Sequence, residues 1–384
     1  MSETKIFVMT HKKFPEPDDP IYLPLQVGAA ENGRLGYLSD DTGDNISAEN
    51  HLWGELTGMY WIWKNYDGPE KYIGINHYRR YFINEKHEFL GECEIERIMG
   101  EYDMIASKTN EGEQTYYEAY AEAHNAHDLG EVGRSLERLY PEYSEAFKAA
   151  ISSHRGYAAN LMITTREQYN AYCEWLFAIL SDANKSIDVS GYDLYHARVL
   201  GFLSEGMLLV WALHHHLRVF EAEIGYTDEK AETKELKLAI GKMIKDGLFD
   251  EAEKLFNEIM TVRPDIGLRL SDIRQEIPVI QQILYIGNQE RIRGIAGIYE
   301  ESHDLNQLIA LYGDYYRALQ RIGEAGEDNA KGACVEADLE WLRMHHFTAI
   351  TLEVMLHYDM CSKYGTKPLN ESAVRARTSH ITGM

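Results

Sequence analysis

Residues 71–82 read KYIGINHYRRYF, and this stretch decides how the fold is read. Residues 72–75 have the apolar character of a buried β-strand. The chain then runs without a break into His77, Arg79 and Arg80. A buried guanidinium group is costly unless an anion meets it. The end of this strand therefore predicts an anion-binding site.

Short apolar runs alternate with segments of helical spacing on both sides of this stretch. Strands are predicted at residues 6–9 and 102–108, and helices at 50–66 and 165–180. Strands that alternate with helices indicate βαβ units. We therefore expect residues 1–228 to form one α/β domain with a Rossmann-type, mainly parallel sheet.

The composition changes near residue 230, and residues 229–384 show helical periodicity with no convincing strand. Residues 247–264 resemble the second helix of a tetratricopeptide repeat over one half-repeat. Because a solenoid needs about three stacked repeats, a full repeat array is only one reading of this segment. We expect a helical accessory domain here.

The charge and the apolar pattern of the chain indicate which partners and which cellular compartment to expect. Its 384 residues carry 38 Lys+Arg against 62 Asp+Glu, a formal net charge of −24, which argues against nucleic acid as a partner. No apolar run approaches roughly 18 residues, so no membrane-spanning helix is expected. The four cysteines are widely spaced, as in proteins of a reducing compartment. We expect a cytoplasmic protein, at most peripheral to the inner face of the cell membrane.

Polar side chains follow two of the predicted strands. Thr10 and His11 come after the first strand, and His77, Arg79 and Arg80 end the KYIGINHY strand. Ligands of open α/β sheets bind beyond the carboxyl ends of strands. Arginine forks match phosphate oxygens, so the predicted anion is a diphosphate. The alternative is that both arginines form structural ion pairs with Asp or Glu. No phosphate-binding P-loop and no G-x-G-x-x-G fingerprint is present.

The order of these motifs resembles a bacterial family of capsular-polysaccharide glycosyltransferases known as a domain of unknown function, DUF4422. The resemblance covers roughly residues 5–215 and includes KIFVMTHKKF, DDTGDNISAEN, YIGINHYRRYF, NLMITTREQYNAYCEWLFAIL and GYDLYHARVLGFLSEGMLLVW. It implies a fold like the GT-A nucleotide-sugar transferases. It also implies transfer of a sugar, in some relatives galactofuranose, from a UDP-sugar to a growing surface polysaccharide or glycolipid.

The resemblance also suggests roles for individual residues. The expected donor contacts are Thr10, His11, Asp44, Asn45, His77, Arg79 and Arg80. Many GT-A enzymes place an Asp-x-Asp metal site where this chain has residues 76–79. We therefore expect no cofactor, with cationic side chains neutralising the diphosphate directly. The alternative is a divalent metal, Mn²⁺ or Mg²⁺, held by Asp40, Asp41 and Asp44.

A transferase that inverts the anomeric centre needs a carboxylate base for the acceptor hydroxyl. Glu205 lies among apolar residues and is the first candidate; Asp193, in a polar loop, is the second. The alternative for Glu205 is a structural ion pair with Arg198. Asn160 and Trp63 are the expected acceptor contacts.

Two departures from the family pattern leave the identity of the donor sugar undetermined. Family members often carry SERL where this chain has SEGM at residues 204–207, and the tyrosine that often precedes the asparagine is here Ala159. Two other functions remain open as well. One is a non-catalytic carbohydrate- or protein-binding module, in contact with a membrane-bound assembly complex. The other is a nucleotide-sugar hydrolase that uses water as acceptor.

Overall fold

The computed structural model describes residues 2–109, 113–157, 159–268, 271–324, 329–358, 360–364 and 368–382. The chain divides into two compact units, Met1–Thr227 and Asp228–Met384.

The strands are β1 (Thr4–Thr10), β2 (Tyr22–Gln26), β3 (Leu38–Ser39), β4 (Tyr72–His77), β5 (Arg80–Ile83), β6 (Met104–Ser107), β7 (Met162–Thr165) and β8 (Val219–Tyr226). The helices of the first unit are α1 (Asn50–Trp53), α2 (Leu56–Asn65), α3 (Glu92–Met99), α4 (Tyr116–Ala123), α5 (Ala126–Leu139), α6 (Ser144–Ile151), α7 (Arg166–Ala183) and α8 (Val199–His214). Those of the second unit are α9 (Ala231–Lys245), α10 (Phe249–Val262), α11 (Ile277–Ile292), α12 (Ile298–Glu301), α13 (Leu305–Glu324), α14 (Asn329–Met344), α15 (Ala349–His357), α16 (Cys361–Tyr364) and α17 (Glu371–Thr382).

All eight described strands form one sheet in the order β3-β2-β1-β4-β5-β8-β6-β7. Strand β4 also pairs with β7, so β4, β5, β8, β6 and β7 close into a ring. Strand β4 therefore lies at the junction between the open half of the sheet and the ring, which is why the end of β4 can be reached by several elements at once.

The expectation of a mainly parallel sheet is corrected by this topology. Pairings within the open half, such as β1 with β2 and β1 with β4, are parallel. In the ring, β4 pairs antiparallel with both β5 and β7, while β6 pairs parallel with β8. The first unit is thus mixed α/β. The reversal begins at the end of β4, where His77 pairs with Arg80 across a two-residue turn.

The central strands are buried because both sheet faces are covered, which explains their continuous apolar character. Phe7 and Ile75 belong to the core beneath the helices, whereas Ile6 and Val8 belong to the core on the opposite face. Gly74 is required in β4: a Cβ there would lie 2.9 Å from Ile6 Cγ1 and 3.0 Å from Ile163 Cγ1.

The predicted helix over residues 50–66 is broken in two. Helix α1 ends at Trp53, and Gly54 takes a positive φ of 56° before α2 begins at Leu56. Such a conformation suits glycine and interrupts the helical hydrogen bonds. The break places Glu55 at the start of α2. The later helix α7 begins after Thr165, whose side-chain hydroxyl accepts a hydrogen bond from the Gln168 N–H.

The described residues of the second unit are helical and contain no strand. Helices α9 and α10 are joined through Gly247, whose φ is 75°. The tetratricopeptide resemblance of residues 247–264 falls on α10 and stays a prediction. Among the helices that the structure describes, none is long and apolar enough to cross a bilayer.

Candidate functional site

The end of β4 brings a histidine and an arginine onto one side of the sheet. His77 is paired with Met9 of β1 and with Arg80 of β5. Residues directly opposite each other on antiparallel strands point to the same face. His77 and Arg80 therefore share a face, and the positive charge of Arg80 is one of the influences on the pKa of His77.

Several polar atoms at this strand end are buried and have no hydrogen-bond partner among the described residues. They are Nδ2 and Oδ1 of Asn76, Nε2 of His77 and Nε of Arg80. Asn76 is fully buried but pairs with Val8, so it faces the opposite side of the sheet from His77 and Arg80. An unsatisfied buried polar atom costs about 1–3 kcal/mol, so the unpaired atoms of His77 and Arg80, here called the β4 cluster, need an explanation. A ligand with hydrogen-bonding oxygens would provide it.

Glu205 of α8 faces the same cluster. The Ala159 N–H donates to its carboxylate, and Glu55 and Arg80 both act on it electrostatically. Burial, followed by the repulsion from Glu55, raises the pKa of Glu205 from 4.5 to about 7. Among the described residues no ion pair joins Arg198 to Glu205; the Arg198 guanidinium lies over the Tyr195 ring instead, 5.2 Å from its centroid. The carboxyl group can therefore exchange a proton near neutral pH.

His77 has the opposite shift. Burial lowers the pKa of His77 from 6.5 to about 4, although Glu55 acts to raise it. The nearby Arg80, Arg79 and His11 add to the lowering. The imidazole is therefore neutral at physiological pH and can donate one hydrogen bond and accept another. The positive charge of the cluster comes from the guanidinium groups.

Ala159 and Asn160, just before β7, hydrogen-bond to the carboxylates of Glu205 and Glu55. Ala159 and Asn160 both have positive φ, 63° and 54°, which is uncommon for residues other than glycine. Asn160 Nδ2 donates to Glu55 Oε1 at 2.8 Å and to Ser204 Oγ at 2.9 Å. The preceding Ala159 N–H donates to Glu205. This strained turn thus fixes one carboxylate from α2 and one from α8.

The other expected donor residues divide into two groups. His11 lies at the cluster, with its ring 5.3 Å from that of Tyr78, and Thr10 ends β1 beside it, bonded to the backbone of Lys12. Asp44 and Asn45 do not lie at the cluster.

Asp44 is tied to the carboxyl end of α2 instead. Its N–H donates to Asn65 Oδ1 at 2.9 Å, and Tyr60 donates to its carboxylate at 3.1 Å. Glu55 stands at the other end of α2, roughly 15 Å away at 1.5 Å per residue. This placement argues against a donor role for Asp44 and Asn45.

Two comparisons with known proteins give a match. The family model described as "Domain of unknown function (DUF4422)" matches residues 5–216. This chain belongs to the DUF4422 family. The matched segment contains every element of the cluster, from Thr10 to Glu205. No curated protein matches the chain.

A solved structure is similar to this DUF4422 chain. It is the apo structure of the bifunctional glycosyltransferase WbbM, with 29% sequence identity and a TM-score of 0.55. The similarity covers 59% of this chain and 46% of WbbM. The chain therefore spans less than half the length of that relative.

Two acceptor candidates of the DUF4422 chain are placed differently from expectation. Trp63 stacks on Phe177 of α7 with ring centroids 5.8 Å apart, so it packs between helices. Asn160 is buried, and its side-chain amide donates hydrogen bonds to Glu55 and Ser204. Asn160 is therefore closed to an acceptor, whereas Trp63 is half-buried and its role as an acceptor contact stays a prediction.

Asp193, the second candidate for the base, lies in an exposed turn. Its carboxylate accepts from the Tyr195 and His196 N–H groups and from His196 Nδ1 at 2.7 Å. These hydrogen bonds lower the pKa of Asp193. A carboxylate with a lowered pKa is a weak base, so Asp193 is less suited than Glu205 to remove a proton.

Sequence reasoning missed Glu55 and Ser204. Glu55 follows Gly54 inside what reads as one helix, so its position at a helix start could not be seen. Ser204 lies in α8, and its hydrogen bond with Asn160 is made only in the folded chain.

The three aspartates proposed as metal ligands do not form a metal site. Asp40 is buried and accepts from the N–H groups of Gly28 and Ala29, at 2.8 and 3.0 Å, and from Ser47 Oγ. Asp41 pairs with Arg34 at 2.7 Å. No group of three or more His, Cys, Asp or Glu in the described part of the chain is arranged to hold a metal ion.

Asp40 is therefore expected to be structural. Asp40→Ala should lower the free energy of unfolding by about 3 kcal/mol, because it leaves buried donors without their charged acceptor. Asp41→Ala is the matched control and should cost at most about 1 kcal/mol, as expected for a partly exposed ion pair. Urea unfolding of both variants measures this. An equal effect of the two substitutions, or recovery of Asp40→Ala stability by Mn²⁺, would contradict the structural role.

Proposed function

We propose that this chain is a glycosyltransferase that moves a sugar from a UDP-sugar to a hydroxyl group of a glycan or lipid-linked glycan. The observation that carries the proposal is the cluster at the end of β4, where Arg80 shares a face with neutral His77 and acts electrostatically on the proton-exchanging carboxyl of Glu205. Membership of DUF4422 and the similarity to WbbM support glycosyl transfer as the reaction class. Galactofuranose is the donor sugar that the family resemblance favours.

The donor diphosphate is proposed to bind Arg80, with Arg79 and His77 beside it. A guanidinium group presents paired N–H donors that match phosphate oxygens. Arg80 Nε and His77 Nε2 are buried and have no protein partner among the described residues, so they can serve a ligand. His11, at the end of β1, would face the nucleotide. This donor set needs no metal, which is our proposal for the cofactor requirement.

Glu205 is proposed as the catalytic base of an inverting transfer. It would accept the proton of the attacking acceptor hydroxyl as the bond from the anomeric carbon to that oxygen forms and the bond to the diphosphate breaks. A base with a pKa near the working pH is the most effective in this role. The Glu205 carboxyl, held by the Ala159 N–H, meets this condition.

The test is release of UDP from a panel of UDP-sugars, with and without glycan acceptors. Release that requires an acceptor supports transfer. Release into water alone would identify a hydrolase instead. Failure of UDP and of every UDP-sugar to bind in isothermal titration would leave a non-catalytic module and end the proposal.

We expect Glu55 to raise the pKa of the proposed base, Glu205, and Glu55→Gln tests this effect. The negative charge of Glu55 raises the pKa of Glu205, while Arg80 and Arg198 act in the opposite sense. In Glu55→Gln that repulsion is gone, so Glu205 loses its proton at lower pH. The acid limb of the kcat–pH profile should move down by roughly one pH unit. An unmoved limb would show that Glu55 does not act on the base.

A further inference from the structure

A second concave site lies in the first unit, separate from the β4 cluster. It is a cavity of ≈ 260 Å³ between the end of α4, the start of α5 and the loop that leads into α8. At ~30 Å³ per molecule it would hold about nine waters, which is the scale of one sugar ring. Its polar lining residues include Glu122, His124, Asn125, Asp128, Asp193 and His196.

The lining fits a neutral, hydroxyl-rich ligand. Two of these residues, Glu122 and Asp193, are exposed carboxylates, which accept hydrogen bonds from hydroxyl groups. The described lining contains no Lys or Arg, so an anionic ligand would be repelled.

An aromatic side chain belongs to the same lining. Tyr192 lines the cavity, and its hydroxyl donates to Asp128 at 2.6 Å. A sugar has both hydroxyl groups and apolar C–H faces, and a cavity with carboxylates and an aromatic side chain can contact both.

The cavity and Glu205 lie along one stripe of α8, which α4 covers. Val199 lines the cavity, Phe202 lies one turn further and stacks on His124 at 4.3 Å, and Gly206 lies another turn on. A Cβ on Gly206 would meet the Tyr116 ring at 2.7 Å, so α4 packs along this stripe. Glu205 comes six positions after Val199, about 9 Å along the helix.

We infer that this cavity is an acceptor subsite that binds a neutral sugar residue of the glycan. The inference rests on the proposed glycosyl transfer, because a glycan acceptor has further sugar residues beside the one that carries the attacking hydroxyl. The subsite gives the Asp193 loop a role in acceptor recognition and none in proton removal.

The loop offers a matched pair of variants. Asp193 and Asp188 both accept backbone N–H groups with one carboxylate oxygen, but only Asp193 lines the cavity. Asp193→Asn and Asp188→Asn change the same charge and keep an oxygen for the turn. Glu122→Gln is a further lining variant at an exposed position, where the carboxylate accepts from Gln114.

The experiment is saturation-transfer NMR of the full chain with methyl galactoside, methyl glucoside, methyl mannoside and methyl glucuronide. At least one neutral glycoside should bind, the glucuronide should not, and affinity should fall about tenfold in Asp193→Asn and in Glu122→Gln but stay unchanged in Asp188→Asn. Failure of all neutral glycosides to bind, or equal binding in all variants, overturns the subsite.

UDP titrated into the same samples separates this inference from the proposed function. UDP binding without glycoside binding removes only the acceptor subsite. Glycoside binding that depends on Asp193 without UDP binding keeps a sugar site and removes the UDP-sugar donor.

Discussion

Glu205→Gln should reduce kcat by roughly 10²-fold or more while the affinity for the UDP-sugar stays within about twofold of wild type. The amide keeps the shape of the side chain and can still accept from the Ala159 N–H. It cannot take a proton from the acceptor. Single-turnover assays with saturating donor measure the chemical step directly. Near-normal turnover would exclude Glu205 as the base.

The same variant provides an independent check through its stability. The pKa of Glu205 is raised from 4.5 to about 7 on folding, so its contribution to stability is fully present below pH 4.5 and is lost as the pH rises through 7. Glu205→Gln does not titrate and escapes this loss. The unfolding free energy of the variant relative to wild type should therefore rise by about 3 kcal/mol between pH 4.5 and pH 8.

His77 is present in both proteins, so its contribution to the pH dependence of stability cancels in this comparison. That contribution has the opposite sign to that of Glu205. The pKa of His77 is lowered from 6.5 to about 4, so its contribution is present above 6.5 and is lost as the pH falls through 4. If the difference between wild type and Glu205→Gln did not change with pH, the pKa of Glu205 would not be raised on folding, and the base assignment would lose its physical support.

Arg80→Ala should weaken UDP binding on the order of tenfold or more, since a lost charged hydrogen bond costs about 1.5–3 kcal/mol. Arg80→Lys should recover only part of the affinity, because an ammonium group cannot present the paired donors of a guanidinium. Isothermal titration with UDP and with UMP measures the effect, and the loss should be larger for UDP. Melting temperatures show whether each variant is folded.

The surface variant Arg134→Ala is the control for Arg80. Arg134 is exposed on α5 and pairs with Glu131 of the same helix. Its removal should leave UDP affinity unchanged. Equal UDP affinity in wild type and Arg80→Ala would place the diphosphate elsewhere.

Part of this fold could be read from the sequence because burial leaves a local pattern. The continuous apolar runs of β1 and β4 predicted central strands, and these strands pair in parallel as expected. Strand direction leaves no such pattern. The reversal after His77 takes only two residues, so the strand predicted at KYIGINHY is β4, whereas β5, which follows it directly, was not predicted.

Strand β8 was missed, although its signal was present. Its charged residues Glu221 and Glu223 alternate with Phe220, Ala222 and Ile224, which is the period of a half-buried strand. It followed a long apolar helix and preceded the helical unit, so the local context favoured helix. This strand carries the parallel pairing with β6 that closes the ring.

The candidate site was predictable where one residue type stood out against its surroundings. Arg80 and Glu205 were conspicuous because a charge in an apolar segment needs a reason. Glu55 was not, because only the folded chain brings the start of α2 to the turn at Asn160. The loop of Asp44 was rich in polar residues, but those residues hydrogen-bond within the loop and to α2.

The most direct test of the proposed donor site is a crystal structure of this chain with UDP bound. We expect the diphosphate within hydrogen-bonding distance of Arg80 and His77, at the end of β4 and on the side of the sheet that faces Glu205. A diphosphate bound at the Asp40–Asp44 loop, or in the cavity beside Asp193, would contradict it.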